Sequence, residues 1–159
     1  MALTPGKQFE SDIKKSIPKD WFYYRLKDSA GSWSNTGVSR FTPSNSCDLF
    51  IFTGSMLFGV ELKSFQGKSM PYSNIKKKQL EDLTAMSDGL PLNAQGIFIL
   101  NFRDLNETYM VNTCIVHYLK DTSGRKSIGI EEARVNGILI PQVLKRVHYR
   151  YNLKALKGE

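Results

Sequence analysis

Apolar positions recur along this chain with two different periods, and the switches between them mark out its elements. Phe9, Ile13 and Ile17 fall on one helical stripe, with Glu10 beside it. Thr4 can cap that helix, Pro5 fits its first turn and Pro18 stops it. Trp21 to Leu26 is aromatic-rich and predicts a strand. Asp28 to Ser46 is dense in Ser, Asn, Thr and Gly and has no period. A loop that long inside a compact domain is usually functional or mobile.

The next runs, Asp48–Phe52 and Leu57–Lys63, are strand-like and meet around Gly54-Ser55, which predicts a β-hairpin. Gly67–Tyr72 reads as a connector. Ser73 or Asn74 can cap a helix running to about Met86, with Gly89 just past its end. Ile75, Leu83 and Met86 form the buried stripe of that helix, and Gln79 falls within it. Gly96–Phe102 is continuously apolar, as a strand buried on both faces would be, and Thr108–Val111 reads as its hairpin partner. Beyond these, Ile115–Lys120 reads as a helix, Arg125-Lys126-Ser127-Ile128 as a basic turn and His148–Leu153 as a last strand. This order predicts an α/β (α+β) fold, a sheet with helices packed against it. Its 159 residues suit one domain, 1–159, with a mobile or stalk-like segment at about 28–46.

The hairpin brings chemistry with it. With Gly54 and Ser55 as the turn, Asp48 falls opposite Glu61 and Ser46 opposite Lys63. Side chains alternate across a strand, so all four share one end of one face. The remaining hairpin positions are apolar: Phe50, Phe52 and Leu57 on that face, and Leu49, Ile51, Phe58, Val60 and Leu62 on the other. Two carboxylates opposite each other repel, and an apolar sheet adds desolvation to the repulsion. A divalent cation between them removes both penalties, and hard oxygen donors suit Mg²⁺ or Mn²⁺. Lys63 stands where it could orient an attacking water or offset charge building on a phosphate. The plain alternative is a charge cluster with a structural role only, because Glu-x-Lys pairs are common on exposed strand faces. Another loop length would also separate Asp48 from Glu61. Gln79, if buried, needs hydrogen-bond partners that a polar site would supply; at the edge of its stripe it would meet water instead. Glu10 is either a third carboxylate of the same site or a solvated flank.

Charge adds a partner class. The net charge of +7, from 22 basic against 15 acidic residues, points to a polyanion such as nucleic acid. No apolar run reaches the roughly 20 residues that span a bilayer, and Met1 to Phe9 lacks a signal-peptide core. A cytoplasmic protein that binds no membrane is the expectation. Cys47 and Cys114 are expected as free thiols, and with neither CxxC nor HExxH present a zinc site is not expected.

Asp48, then Glu61-Leu62-Lys63, then a helix bearing Gln79 resembles the core of the PD-(D/E)XK nucleases. The pattern is most similar to RecU-type Holliday junction resolvases of Gram-positive bacteria and their phages. The stretches that carry the resemblance span most of the chain: Gly6-Lys7-Gln8-Phe9-Glu10, Ser46-Cys47-Asp48, Glu61-Leu62-Lys63-Ser64, Pro71-Tyr72-Ser73-Asn74-Ile75 leading to Gln79, Gly96-Ile97-Phe98, and Gly124-Arg125-Lys126-Ser127-Ile128. It implies a restriction-endonuclease-like mixed sheet flanked by helices. It also implies a Mg²⁺ (or Mn²⁺) cofactor held by Asp48 and Glu61, a catalytic Lys63, and accessory roles for Glu10 and Gln79. Ser46 stands where the family often has a hydroxyl near the metal. Two departures stand out: Cys47 occupies the position of the superfamily's proline, and the segment before Asp48 is short, which suits a phage-type member.

The implied reaction is hydrolysis of a DNA phosphodiester, and the implied substrate a four-way junction nicked symmetrically. That symmetry favours a homodimer with two sites. Candidate phosphate contacts are Lys14, Lys15, Arg40, Lys68, Lys76, Lys77, Arg125 and Lys126, with Lys78 completing its run. Trp33 or Phe41 could wedge into an opened junction. Two alternatives stay open: another structure-selective or nicking endonuclease on the same core, and a DNA-binding module without catalysis.

Overall fold

The computed structural model describes residues 2–27, 44–89 and 92–159. Most of the expected stalk-like segment, including Trp33, Arg40 and Phe41, lies outside the described residues.

The first helix, α1 (Pro5–Ser16), starts as expected: the Thr4 hydroxyl accepts from the Lys7 amide, and extended Ile17 precedes Pro18. It leads to β1 (Phe22–Arg25), β2 (Leu49–Phe52), β3 (Leu57–Phe65) and β4 (Ser69–Pro71). After these come α2 (Lys77–Asp88), β5 (Ala94–Phe102), β6 (Glu107–Asn112) and α3 (Thr113–Thr122). The chain ends with β7 (Ser127–Gly129), α4 (Ile130–Asn136), β8 (Ile138–Leu139), β9 (Gln142–Lys145), β10 (His148–Tyr151) and a 3-10 segment, Leu153–Lys157.

Six strands form one mixed sheet in the order β1-β2-β3-β5-β6-β8. Every pairing in it is antiparallel except β3 with β5, whose parallel alignment requires a crossover, and α2 is that crossover. The β2–β3 hairpin has the expected register, Phe52 with Leu57 through to Leu49 with Val60.

Strand alternation then divides the apolar residues between two cores. Leu49, Ile51, Phe58, Val60, Ile97 and Ile99 pack beneath α1, with Phe9, Ile13 and Tyr151. Phe65, Phe98, Leu100, Phe102 and Val111 pack on the other face, with Leu80, Val116 and Ile128. β5 contributes to both cores, which is why its sequence is unbroken by polar residues from Gly96 to Leu100.

Glycine sets how closely α2 can lie on the sheet. A Cβ at Gly96 would sit 2.1 Å from the Leu83 carbonyl oxygen, so only glycine permits that approach. Beside it the Ser87 hydroxyl accepts from the Gly96 amide at 2.9 Å. Anchored there, α2 carries Gln79 over β3.

Four expectations change. Tyr72–Asn74 is a separate 3-10 turn, and α2 begins only at Lys77 with Lys76 as an N-cap that makes no side-chain bond. Ser73 and Asn74 therefore do not cap it. Ile75 is buried in extended backbone, and the buried residues of α2 are Gln79, Leu80 and Leu83. The expected connector and basic turn partly pair: β4 and β7 form a two-stranded sheet, Met70 opposite Ile128, because both side chains are fully covered in the second core. His148–Tyr151 is a strand, but it pairs with β9 in a separate ribbon, and Leu153 belongs to the 3-10 segment that closes the first core.

Candidate active site

The hairpin ladder stops at Leu49, and Asp48 stands one residue beyond it. Its amide donates to the Val60 carbonyl at 3.0 Å, and its Oδ2 accepts from the Leu62 amide at 2.7 Å. The two bonds fall on either side of Glu61, so Asp48 is fastened beside that residue.

Glu61 is 3% exposed, and its two oxygens have different partners. Oε1 pairs with Lys63 Nζ at 2.8 Å, and Oε2 accepts from Gln79 Nε2 at 3.1 Å. Gln79 is buried, and its Oε1 has no hydrogen-bond partner among the described residues. An unpaired buried acceptor is rare in native interiors and points to a donor such as water or ligand.

Burial is the first cause of the electrostatics. It pushes the Glu61 carboxyl up to about 7, helped by the neighbouring Asp48 charge and opposed by Lys63 and, more weakly, Lys76. Asp48 is also raised, chiefly by burial, while the Leu62 amide, Lys63 and Arg25 pull it back and Glu10 pushes it up. Two acids side by side, each held above its ordinary range, is the arrangement a bound cation relieves.

Glu10, on α1, is ion-paired with Arg25 of β1 and lies 3.9 Å from Lys14. Glu10 is half-buried, and its charge and that of Arg25 both act on Asp48. Sequence reasoning passed over Arg25. Its only signal was a cation closing an otherwise aromatic strand.

Ser46 departs from its expected place opposite Lys63. It lies in a bend before the ladder begins, and its hydroxyl donates to Asp82 on α2, which also binds Lys78. Cys47 fills the superfamily's proline position as a buried thiol. Its Sγ donates to the Leu49 carbonyl, and burial pushes it up to about 12, so it stays protonated.

Of the candidate phosphate contacts, Lys14 is shared with Glu10, Lys77 with Glu81, Lys78 with Asp82 and Arg125 with Glu132. Lys15, Lys68, Lys76 and Lys126 are exposed and have no ion-pair partner among the described residues. Arg40 lies outside them.

The donor set fits a hard divalent cation. Mg²⁺ is commonly held by one or two carboxylates, with waters and substrate phosphates filling the remaining positions. Asp48 and Glu61 supply that many, and no cluster of three or more His, Cys, Asp or Glu able to hold a metal exists among the described residues. No helix among them is long and apolar enough to cross a membrane.

A mixed sheet with these helices is the restriction-endonuclease-like fold. It matches the structure of Hjc, a Holliday junction resolvase of the archaeon Archaeoglobus fulgidus, with a TM-score of 0.53. That match covers 83% of this chain and 93% of the other at 18% identity, and so speaks to the fold. The sequence goes further: residues 13–155 match the model of the RecU family, recombination protein U, and the chain belongs to that family. It is also 31% identical over 174 residues to YotM, an SPbeta prophage-derived uncharacterized protein of Bacillus subtilis (strain 168), with 99% of this chain and 87% of that one covered.

Proposed function

We propose that the protein is a divalent-metal-dependent endonuclease that nicks four-way DNA junctions symmetrically as a homodimer. The observation that carries this reading is Asp48 fastened between Val60 and Leu62, next to a buried Glu61 that is paired with Lys63. Membership of the RecU family, recombination protein U, supports a DNA substrate of recombination.

Asp48 and Glu61 would hold Mg²⁺ or Mn²⁺, which supplies Lewis-acid stabilisation of the phosphate's developing charge and lowers the pKa of the attacking water. The protein's own residues do the rest. Gln79 holds one Glu61 oxygen, which turns the carboxylate in one direction. Lys63, only half-buried, can leave Glu61 once the pair of acids is neutralised and offer its ammonium to the scissile phosphate. Arg25 neutralises Glu10, and so limits the negative charge that an incoming phosphate meets. Of the candidate phosphate contacts, Lys15, Lys68, Lys76 and Lys126 are the exposed cations left for the DNA backbone. Two nicks related by symmetry require two such sites, hence a C2 dimer. Acting on recombining DNA places the protein in the cytoplasm, of the host where it is phage-encoded.

Incubation with a four-way junction and a linear duplex, each with and without Mg²⁺, tests the reading. Paired nicks in the junction, dependent on the metal, are expected. Equal cutting of both DNAs would favour a less selective nuclease on the same core, and binding without cutting in Mg²⁺ and Mn²⁺ would leave a DNA-binding module.

A further inference from the structure

The net charge of +7 is unevenly distributed along the chain. Residues 134–158 hold six of the 22 basic residues and none of the 15 acidic ones, so the remainder is almost neutral. Within that stretch, Arg134 is taken up by Glu107 and Glu131. Lys145, Arg146 and Arg150 have no acidic partner among the described residues, and all three belong to the β9–β10 ribbon.

The register sorts the faces of this ribbon. Lys145 pairs with His148 and Val143 with Arg150, so these four share one side, while Leu144, Tyr149, Gln142 and Tyr151 share the other. Tyr151 is buried in the first core and Tyr149 packs against it; on the other side His148 turns to Asp12 and Gln8 of α1, Arg150 is half-buried, and Val143 and Lys145 are exposed. Lys145 and His148 close the ladder, which leaves Arg146 and Val147 as a two-residue turn. Arg146 adopts φ 60° there, in the left-handed region where asparagine or glycine is the easier residue. Both turn residues are exposed.

α1 connects this ribbon to the candidate active site. Asp12 accepts from the Tyr149 amide at 3.0 Å and lies 3.0 Å from His148 Nδ1, and Ser16 Oγ accepts from the Tyr151 amide. Glu10, two residues from Asp12, points to Arg25 on the other flank of the helix. The ribbon and the site are thus joined through α1, which contacts both.

We propose that the β9–β10 ribbon, through Lys145, Arg146 and Arg150, is a second DNA-backbone surface that grips the duplex arm outside the cleavage site. This deepens the nuclease reading and rests on it for the identity of the substrate. Lys145, Arg146 and Arg150, without a carboxylate partner among the described residues, complement phosphate rather than a second copy of the same surface. Its contacts are to backbone, so it reads no sequence.

The test is binding of a four-way junction and of a linear duplex in Mg²⁺-free buffer across 50–200 mM salt. The wild type is compared with the triple variant Lys145→Gln, Arg146→Asn, Arg150→Gln, where asparagine is chosen to suit the left-handed turn. At about 0.9 per phosphate contact, loss of three contacts lowers the slope of log K against log salt by about 2.7. The penalty of the variant then shrinks about 40-fold across that salt range. Lys145→Gln alone, at an exposed position, lowers the slope by about 0.9 and guards against misfolding of the triple variant. Lys145→Arg with Arg150→Lys keeps the slope. Unchanged slopes in the triple variant and in Lys145→Gln overturn the proposal, as does a change of oligomeric state in the triple variant with DNA affinity intact. Because binding is read without cleavage, the two readings separate. Junction cutting with unchanged slopes rejects the ribbon surface alone. A reduced slope in a protein that cuts no branched DNA rejects the nuclease and keeps the surface.

Discussion

Replacing Glu61 by glutamine should destroy cleavage and yet stabilise the protein above neutral pH. Glutamine keeps the shape and can still meet Gln79, but it removes the buried charge. The carboxyl rises from 4.5 to about 7 on folding, so the folded state holds its proton more tightly than the unfolded chain does. The sign follows: this group's contribution to wild-type stability is greatest below about 4.5 and declines as pH rises towards 7, where the folded protein must ionise it. At about 1.36 kcal/mol per unit, the cost of that ionisation is on the order of 3 kcal/mol. Glu61→Gln does not bear that cost. At roughly 2–4 °C per kcal/mol for a domain of this size, its melting temperature should exceed the wild type by about 6–12 °C at pH 8 in a chelating buffer, with the two converging near pH 4. Mg²⁺ should then raise the wild type at pH 8 and leave the variant unmoved, since binding stabilises only the state that binds. Thermal unfolding at both pH values, with and without Mg²⁺, reads all of this. A variant less stable than the wild type at pH 8 would refute the idea that the two acids strain the metal-free site.

Other perturbations reach the same structure from different sides. Asp48→Asn should abolish junction cleavage and leave binding within a few-fold, and full activity in a gel assay would remove Asp48 from the site. Gln79→Leu takes away the donor to Glu61 Oε2; a hydrogen bond to a charged group contributes about 1.5–3 kcal/mol, so cleavage should fall about 10- to 100-fold and its pH profile shift upward. Gly96→Ala drives a methyl into the Leu83 carbonyl and should cost about 1–3 kcal/mol or more in denaturant unfolding. Gly59→Ala meets only the Met86 and Leu83 side-chain ends and should cost less, and equal losses would contradict the close approach of α2. Junction affinity should fall steeply with salt, and a flat response would exclude phosphate contacts as the source of grip.

The chain by itself determined the β2–β3 register, because a two-residue turn at Gly54-Ser55 and strict alternation leave one pairing that buries Leu49, Ile51, Phe58 and Val60 together. That register alone puts Asp48 near Glu61, and the helical period makes Gln79 a polar residue on an apolar stripe. Local chemistry also delimited α1 and β5. It could not delimit α2, since Ser73 and Asn74 offered caps that burial of Ile75 overrode. Pairing between distant segments was equally out of reach. β4 meets β7, and β9 and β10 form a ribbon held by Asp12 and Ser16 of α1, because those contacts join residues far apart in sequence through a shared core. Tertiary structure likewise decided that Arg25 faces Glu10 and that Ser46 turns to Asp82, and which lysines are left without a carboxylate partner. Periodicity reports which side of an element is buried. Which other element covers it is settled only when the whole chain packs.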